Sequence, residues 1–282
     1  MTTTTVVNHD LRCVNGCTIW LPPNIQDGDL VNMTLPDIRS YDTAQVYPIG
    51  TRMTTDERTF RYCLADTAAI SHCNRGAGNN NRHMEGDAIG NAVAGAYTLN
   101  WRISDCDYAS TVAYTTENTY EGGYIWIMNS DASLWEFHKI IKNAAATGST
   151  AATDYVTLTF ADPITTASTT PWCTAYRNIY SDVRMEVASG IPSNDMPVVC
   201  VPHIKAAVDT YFWGQTWGPM WTTAVSTPPN DIYRELVWHP TGVIARLAAD
   251  YDPTTYGLQR AGYMLTYTLN TGDMMYMLTL AP

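Results

Sequence analysis

Short segments in which apolar and polar residues alternate recur along most of this chain. Residues 46–53 and 58–63 alternate on either side of an acidic turn, and residues 154–160 alternate before an Asp-Pro pair. Residues 262–269 and 274–280 repeat the pattern across a turn that contains Asn, Gly and Asp. Alternation with a period of two is typical of strands with one buried face. The pattern therefore predicts β-hairpins, of which the C-terminal pair is the strongest.

The spacing of these segments predicts the fold class. Turn signals recur roughly every 8–12 residues, as they do in β-sandwiches and barrels. We expect an all-β protein with one or two sandwich or barrel domains, jelly-roll-like, over residues 46–150 and 151–282, or a single domain over both. Aromatic strands about 90 residues apart suggest an internal duplication, although β segments resemble one another by default. An Ala-rich stretch at 64–73 is the best candidate for a short helix.

Residues 1–45 read as an extended N-terminal arm. Pro22, Pro23 and Pro36 have no amide donor, so this stretch suits extended or edge conformations. Its apolar side chains still need burial. We expect the arm to lie outside the compact core and to pack on a neighbouring subunit.

Charge is scarce and mostly negative. Charged residues are 15% of the 282, against about 25% in ordinary globular chains, and the formal net charge is −11. No Lys/Arg cluster occurs, which argues against nucleic acid and against a polybasic membrane segment. No apolar run approaches a membrane span, and the Thr-rich start lacks the features of a secretory signal. We therefore expect synthesis in the cytosol and no membrane partner.

No catalytic or cofactor motif is present, so we expect neither an enzyme nor a bound cofactor. Among the seven cysteines, Cys13 and Cys17 with Cys63, His72 and Cys73 give only a weak metal-site signal, so the cysteines are interpreted as structural thiols. Three pairs of acidic residues could in principle bind calcium, but none has the Asp/Asn/Gly ligand pattern of a dedicated calcium-binding loop. They are Asp105/Asp107, Glu117/Glu121 and Asp250/Asp252. Asn32 stands in a glycosylation sequon.

The densest aromatic feature is the segment that contains Trp213, Trp217 and Trp221. Gly214 and Gly218 disfavour a helix there, and on a regular strand all three rings would lie on one side. One interpretation is a wall of the core, because aromatic side chains dominate core burial. The other is a surface for assembly or glycan contacts, for which the candidates are Trp20, Trp213, Trp217 and Trp221.

Several of these segments resemble a group of uncharacterised structural proteins, virion or capsid-associated, of tailed phages and environmental viral genomes. The resemblance rests on residues 47–52 followed by 60–62, on 211–219, and on 259–265 with 277–282. It covers most of the chain after residue 45. It implies a virion or filament subunit and supplies no catalytic residues.

These observations favour a non-enzymatic structural protein that self-assembles, either as a capsid decoration or capsid-associated subunit or as an extracellular filament subunit. Its partners would be copies of itself, with a major capsid protein or surface glycans as alternatives. Its location would be the virion or an extracellular assembly. A carbohydrate-binding or adhesive β module is the second hypothesis, and a β-fold hydrolase that uses an acidic pair is the third.

Overall fold

Every regular element that the structure describes is a β-strand, which confirms the predicted all-β fold class. The structure is a computed structural model that describes residues 10–12, 16–21, 36–65, 68–79, 84–88, 90–102, 116–128, 135–147, 155–169, 171–185, 197–223, 234–239, 242–246, 259–266 and 273–282. The strands are β1 (Asp10–Arg12), β2 (Thr18–Trp20), β3 (Tyr41–Asp42), β4 (Arg52–Thr55), β5 (Arg58–Ala65), β6 (Ala77–Asn79), β7 (Met84–Asp87), β8 (Thr98–Arg102), β9 (Tyr124–Met128), β10 (Trp135–Asn143), β11 (Tyr155–Phe160), β12 (Trp172–Tyr176), β13 (Val183–Met185), β14 (Val198–Pro202), β15 (Thr210–Thr223), β16 (Glu235–Trp238), β17 (Ile244–Arg246), β18 (Arg260–Thr266) and β19 (Asp273–Thr279). Within these ranges, no helix has the length and apolarity of a membrane span.

The chain forms two compact units, and the second is inserted into the first. Unit 1 comprises residues 1–80 and 180–282, and unit 2 comprises residues 81–179. The division differs from the expected domains, because the expected boundary at residue 150 falls inside unit 2. That position lies between β10 and β11 in the sequence, and these two strands are paired neighbours in one sheet. A turn-rich composition marks any hairpin loop, so it does not by itself mark a domain boundary.

Unit 1 is built around a 13-stranded antiparallel sheet with β15 at its centre. The main path of the sheet is β1-β2-β4-β5-β15-β19-β18-β16-β17. The predicted hairpins are confirmed: β4 pairs with β5 across the turn at Asp56 and Glu57, and β18 pairs with β19. Buried side chains pack on both sides of the first half of β15, so that half of the strand is buried on both faces.

Unit 2 is a six-stranded antiparallel sheet that curls toward closure. Its order is β7-β12-β9-β10-β11-β8, and an antiparallel bridge between Ala88 and Trp101 links the two ends. Its core lies on the inner side and includes Trp101, Tyr120 and Phe160, all fully or almost fully buried. The inward residues of β8, β9, β10, β11 and β12 supply this core, which leaves the outward residues of the same strands to face solvent.

The short helix expected at 64–73 is absent from the described part of that segment, so this prediction is wrong. Leu64 and Ala65 continue β5, where they pair with Tyr211 and Thr210 of β15. Ile70 forms a bridge with Ala206. Strand pairing with β15 stabilises the extended conformation more than the weak helix propensity of an Ala-rich stretch stabilises a helix.

The expectation that residues 1–45 lie outside the core is wrong for the described part of that segment. β2 pairs with β4, and its Ile19 is 2% exposed. Ile19 and Leu21 pack with Met53 and Tyr47 in one hydrophobic cluster of unit 1. The chain therefore buries these apolar side chains against itself. Pro22 and Pro23 fall outside the described residues, and the predicted packing on a neighbour stays a prediction.

Gly262 in β18 supports the first testable prediction. Its φ is +146°, and a Cβ atom there would lie 1.8 Å from the carbonyl oxygen of Met277 on β19. Gly262→Ala should therefore force the two strands apart and lower the free energy of unfolding by about 2–3 kcal/mol. Urea denaturation monitored by circular dichroism measures the change.

Gly16→Ala is the matched control in the same unit. Gly16 also has a positive φ of +77°, but nothing lies within 4 Å of its Cβ position. Its replacement should cost only the backbone strain, about 1 kcal/mol. Equal losses for the two variants would show that the close approach at Gly262 contributes nothing.

Candidate interaction faces

The outer side of three neighbouring strands in unit 2 carries a dense group of aromatic side chains, which we call the aromatic face. It consists of Tyr124, Trp126 and Met128 on β9, Trp135, Phe137 and Lys139 on β10, and Trp172, Thr174 and Tyr176 on β12. Alternation explains the arrangement, because the residues between these positions point inward. Ile125, Ile127 and Ile140 are buried in the core of the unit.

Strand register brings these side chains together in rows. β9 lies between β12 and β10, and Trp126 pairs with Thr174 on one side and with Phe137 on the other. Met128 pairs in the same way with Trp172 and Trp135. Side chains directly opposite one another on antiparallel strands lie close enough to touch. The outward residues of the three strands therefore form one continuous surface.

The aromatic face is exposed to an unusual degree for such large apolar side chains. Their exposed fractions are 59% for Trp135, 58% for Phe137, 44% for Trp126, 41% for Trp172 and 39% for Tyr124. At about 150–250 Å² per aromatic side chain, the exposed part amounts to roughly 500 Å². Patches of that size on soluble chains are commonly functional.

The rings of the aromatic face pack against one another in both stacked and nearly perpendicular pairs. Tyr124 and Phe137 are stacked, with centroids 5.0 Å apart and planes 8° apart. Trp126 lies nearly perpendicular to Trp135, at 86°, and to Phe137, at 77°. Two rings that lie side by side in one plane would clash if their centroids were 5.0 Å apart. Tyr124 and Phe137 therefore overlap, and each covers part of the other's face. These four rings therefore do not form one flat platform.

The inner side of β10 anchors the face to the rest of unit 2. Glu136 accepts hydrogen bonds from the backbone amides of Thr165, at 2.8 Å, and Thr166, at 2.6 Å. His138 Nε2 lies 3.0 Å from the same carboxylate, and its ring stacks on Phe160. Trp135 and Phe137 flank Glu136 along the strand, so these contacts fix the backbone from which both rings project.

The four tryptophans expected from the sequence do not share one surface. Trp213 is 2% exposed and packs edge-on against Tyr47 and beside Tyr62, which agrees with the core interpretation for this residue alone. Trp217 is half-buried, and Trp221 is 44% exposed. Buried Trp213 is therefore not available as a surface contact of the folded chain.

A β-bulge explains the separation. The register between β15 and β5 shifts between Gln215 and Trp217, which turns the later residues of β15 to the opposite side of the sheet. Gln215 is fully buried, and its amide nitrogen donates to the carbonyls of Trp217 and Pro219. The expectation that all three rings point the same way assumed an unbroken strand and is wrong.

Beyond the bulge, β15 contributes to a second exposed apolar surface, which we call the methionine face. It consists of Trp217, Pro219 and Trp221 on β15, Met275 and Met277 on β19, and Tyr263 on β18. Pro219 pairs with Met277, which pairs with Tyr263 on its other side. Tyr263, Met275 and Trp221 are 44–48% exposed. Two of the four predicted tryptophans thus belong to this face of unit 1.

Trp20 stands apart from both faces, on β2. It is 42% exposed, and the guanidinium of Arg52 lies 5.8 Å from its ring centroid. Arg52 is its register partner on β4. A cation over an exposed ring accounts for this side chain locally.

Sequence reasoning missed the aromatic face because its residues come from separate segments. The aromatic strands that the sequence predicts, about 90 residues apart, include neither β10 nor β12. The signal that could have found them is local: aromatic residues alternate with inward residues in Trp135-Glu-Phe137 and in Trp172-Cys-Thr-Ala-Tyr176. Residues two or four positions apart on a strand project from the same side.

The other candidate chemistry gives no site in the described residues. No three His, Cys, Asp or Glu side chains there come together as metal ligands. Asn32 and the pairs Asp105/Asp107 and Asp250/Asp252 lie outside the described residues, while Glu117 is exposed on a turn. The thiols of Cys63 and Cys200 lie 3.7 Å apart in the core of unit 1, where burial raises the pKa of Cys200 well above its usual value. A buried protonated thiol is a poor nucleophile.

No protein-family model matches this chain, and neither a curated protein nor a solved structure is similar to it.

The Glu136 contacts give a pH prediction. Burial alone would raise the pKa of Glu136, but the hydrogen bonds from Thr165, Thr166 and His138 outweigh it, so its pKa lies below the ordinary value of 4.5. A carboxyl group whose pKa is lower in the folded state than in the unfolded state stabilises the fold when the pH is above the unfolded-state pKa. This stabilisation is lost as the pH falls through the lower, folded-state pKa. Glu136→Gln should therefore lower the melting temperature at pH 7, and the difference from the wild type should shrink below about pH 4.5.

Thermal melts between pH 7 and pH 3 measure this difference. Glu117→Gln is the control, because Glu117 is exposed. It should melt close to the wild type at every pH. A constant difference between Glu136→Gln and the wild type across the whole range would contradict the assigned role of the carboxylate.

Proposed function

We propose that this protein is a non-enzymatic structural subunit that self-associates through the aromatic face. The assembly is a virion, in which the chain is a capsid decoration or capsid-associated subunit, or an extracellular filament. The resemblance of residues 47–52 with 60–62, of 211–219, and of 259–265 with 277–282 to structural proteins of tailed phages and environmental viral genomes supports the choice of assembly. The proposal identifies the class of partner as further copies of the same chain.

The single observation that carries the proposal is the size and exposure of the aromatic face. Aromatic side chains are enriched at the buried centres of protein interfaces, where charged residues are depleted. Across its nine outward positions the face has one charged residue, Lys139. Its roughly 500 Å² matches the apolar share of a standard-sized interface, which is about 450–500 Å² per partner.

The ring geometry favours a protein partner over a glycan. A sugar ring stacks on the open face of an aromatic ring, so an extended glycan requires several faces turned toward solvent in one plane. Tyr124 and Phe137 instead cover one another in part, and Trp126 stands nearly perpendicular to Trp135. An irregular surface of rings and edges suits interdigitation with a partner's side chains. Glycan binding is therefore an outcome of the test and not a second proposal.

Replacing two rings of the aromatic face should abolish association. Trp135→Thr/Phe137→Thr removes the two most exposed rings and substitutes a residue that favours strands, as Thr174 already does on the same face. Two central aromatic contacts contribute about 2 kcal/mol each, so association should weaken at least about 100-fold. Sedimentation velocity over a concentration series measures it, and circular dichroism verifies folding.

Trp20→Thr is the matched control, since Trp20 is similarly exposed but lies outside the face. It should assemble like the wild type, and electron micrographs of the wild type should show particles or filaments. A wild type that remains monomeric at tens of micromolar would overturn the proposal. Retention of that monomer on polysaccharide or glycan arrays, lost in the double variant, would assign the face to carbohydrate binding.

A further inference from the structure

Association between aromatic faces alone would leave the methionine face of each copy without a partner. The methionine face exposes Trp221, Tyr263 and Met275 in unit 1 and adds the half-buried Pro219 and Met277. Its exposed apolar area is roughly 400 Å², close to that of the aromatic face. One apolar patch of about 300–600 Å² is ordinary for a soluble monomer, but two are unusual.

The two faces are alike in construction and complementary in chemistry. Each consists of outward residues from three adjacent antiparallel strands, in unbroken register in the aromatic face and with one register shift between β18 and β19 in the methionine face. The aromatic face presents six aromatic rings and one methionine, Met128, whereas the methionine face has three rings and two methionines, Met275 and Met277, two residues apart on β19. Thioether sulfur packs favourably against ring edges, and the unbranched methionine side chain adapts to an irregular surface. The perpendicular rings around Trp126 provide such edges.

We infer that the partner of the aromatic face is the methionine face of the next copy, so that subunits join head to tail. This inference rests on the proposed self-association and identifies the methionine face as the surface to which the aromatic face binds. One type of contact then covers both faces, because every internal subunit uses its aromatic face toward one neighbour and its methionine face toward the other. Its area fits one interface of standard size, because both faces approach the apolar 450–500 Å² that each partner contributes. A heterologous contact generates a ring where the rotation closes and a filament where it does not.

Symmetric pairing explains the two faces less completely. A two-fold contact between aromatic faces leaves the methionine face of every copy in solvent. Two separate symmetric contacts, aromatic to aromatic and methionine to methionine, cover both faces, but they make no use of the difference in chemistry between them. The three arrangements give different results when variants with one damaged face are mixed.

The experiment uses two variants of the full chain. Trp135→Thr/Phe137→Thr damages the aromatic face, and Trp221→Thr/Tyr263→Thr damages the methionine face. In the head-to-tail arrangement each variant alone is monomeric. An equimolar mixture forms a dimer with one copy of each variant and grows no further, because only one intact contact remains. Native mass spectrometry identifies that dimer by its mass, and circular dichroism verifies that both variants are folded.

Every other outcome overturns the inference. If the methionine-face variant assembles like the wild type while the aromatic-face variant is monomeric, association uses the aromatic face symmetrically. If each variant alone forms dimers, two symmetric contacts exist. A monomeric wild type removes the proposed function as well, which distinguishes the two failures. Tyr97→Thr is the control, as Tyr97 is 52% exposed and lies outside both faces, and it should assemble fully.

Discussion

The register of β9 between its two neighbours is the constraint on which the rest of unit 2 depends. All five residues of β9 pair without a shift on both sides, from Tyr124 to Met128. Each inward residue therefore faces the core, and each outward residue is aligned with outward residues of β10 and β12. A slip of one residue would bury Trp126 and expose Ile125 and Ile127. In β15 such a shift does occur, and Gln215 stabilises it by hydrogen bonds to the carbonyls that follow.

The exposed aromatic side chains occur in a chain with few charged residues. Only 15% of the residues are charged, so large parts of the surface are apolar or carry neutral polar side chains such as threonine. The net charge of −11 opposes close approach of copies at long range, while short-range apolar contact favours it. Salt screens the first effect within about 10 Å and leaves the second, which confines association to surfaces that fit. The aromatic and methionine faces are the described surfaces with that character.

Local pattern was sufficient to predict the strands but not their partners. The hairpin of β4 and β5 and that of β18 and β19 were predictable because turn residues separate alternating segments. The insertion of unit 2 was not, since nothing local distinguishes a connection within a sheet from one between units. The different burial of Trp213 and Trp217 depends on the bulge after Gln215, and the Gln215 side chain hydrogen-bonds to His203 on another segment. Long-range contacts of this kind leave no signature in spacing.

Oxidative footprinting of the wild type during assembly tests the central claim most directly. Samples from dilute to concentrated solution are exposed to hydroxyl radicals, and oxidation is mapped by mass spectrometry while mass is followed by light scattering. The account predicts that Trp126, Trp135 and Trp172 become protected in proportion to the increase in mass, while Trp20 does not. Oxidation of the aromatic face that stays constant as the mass increases would contradict it.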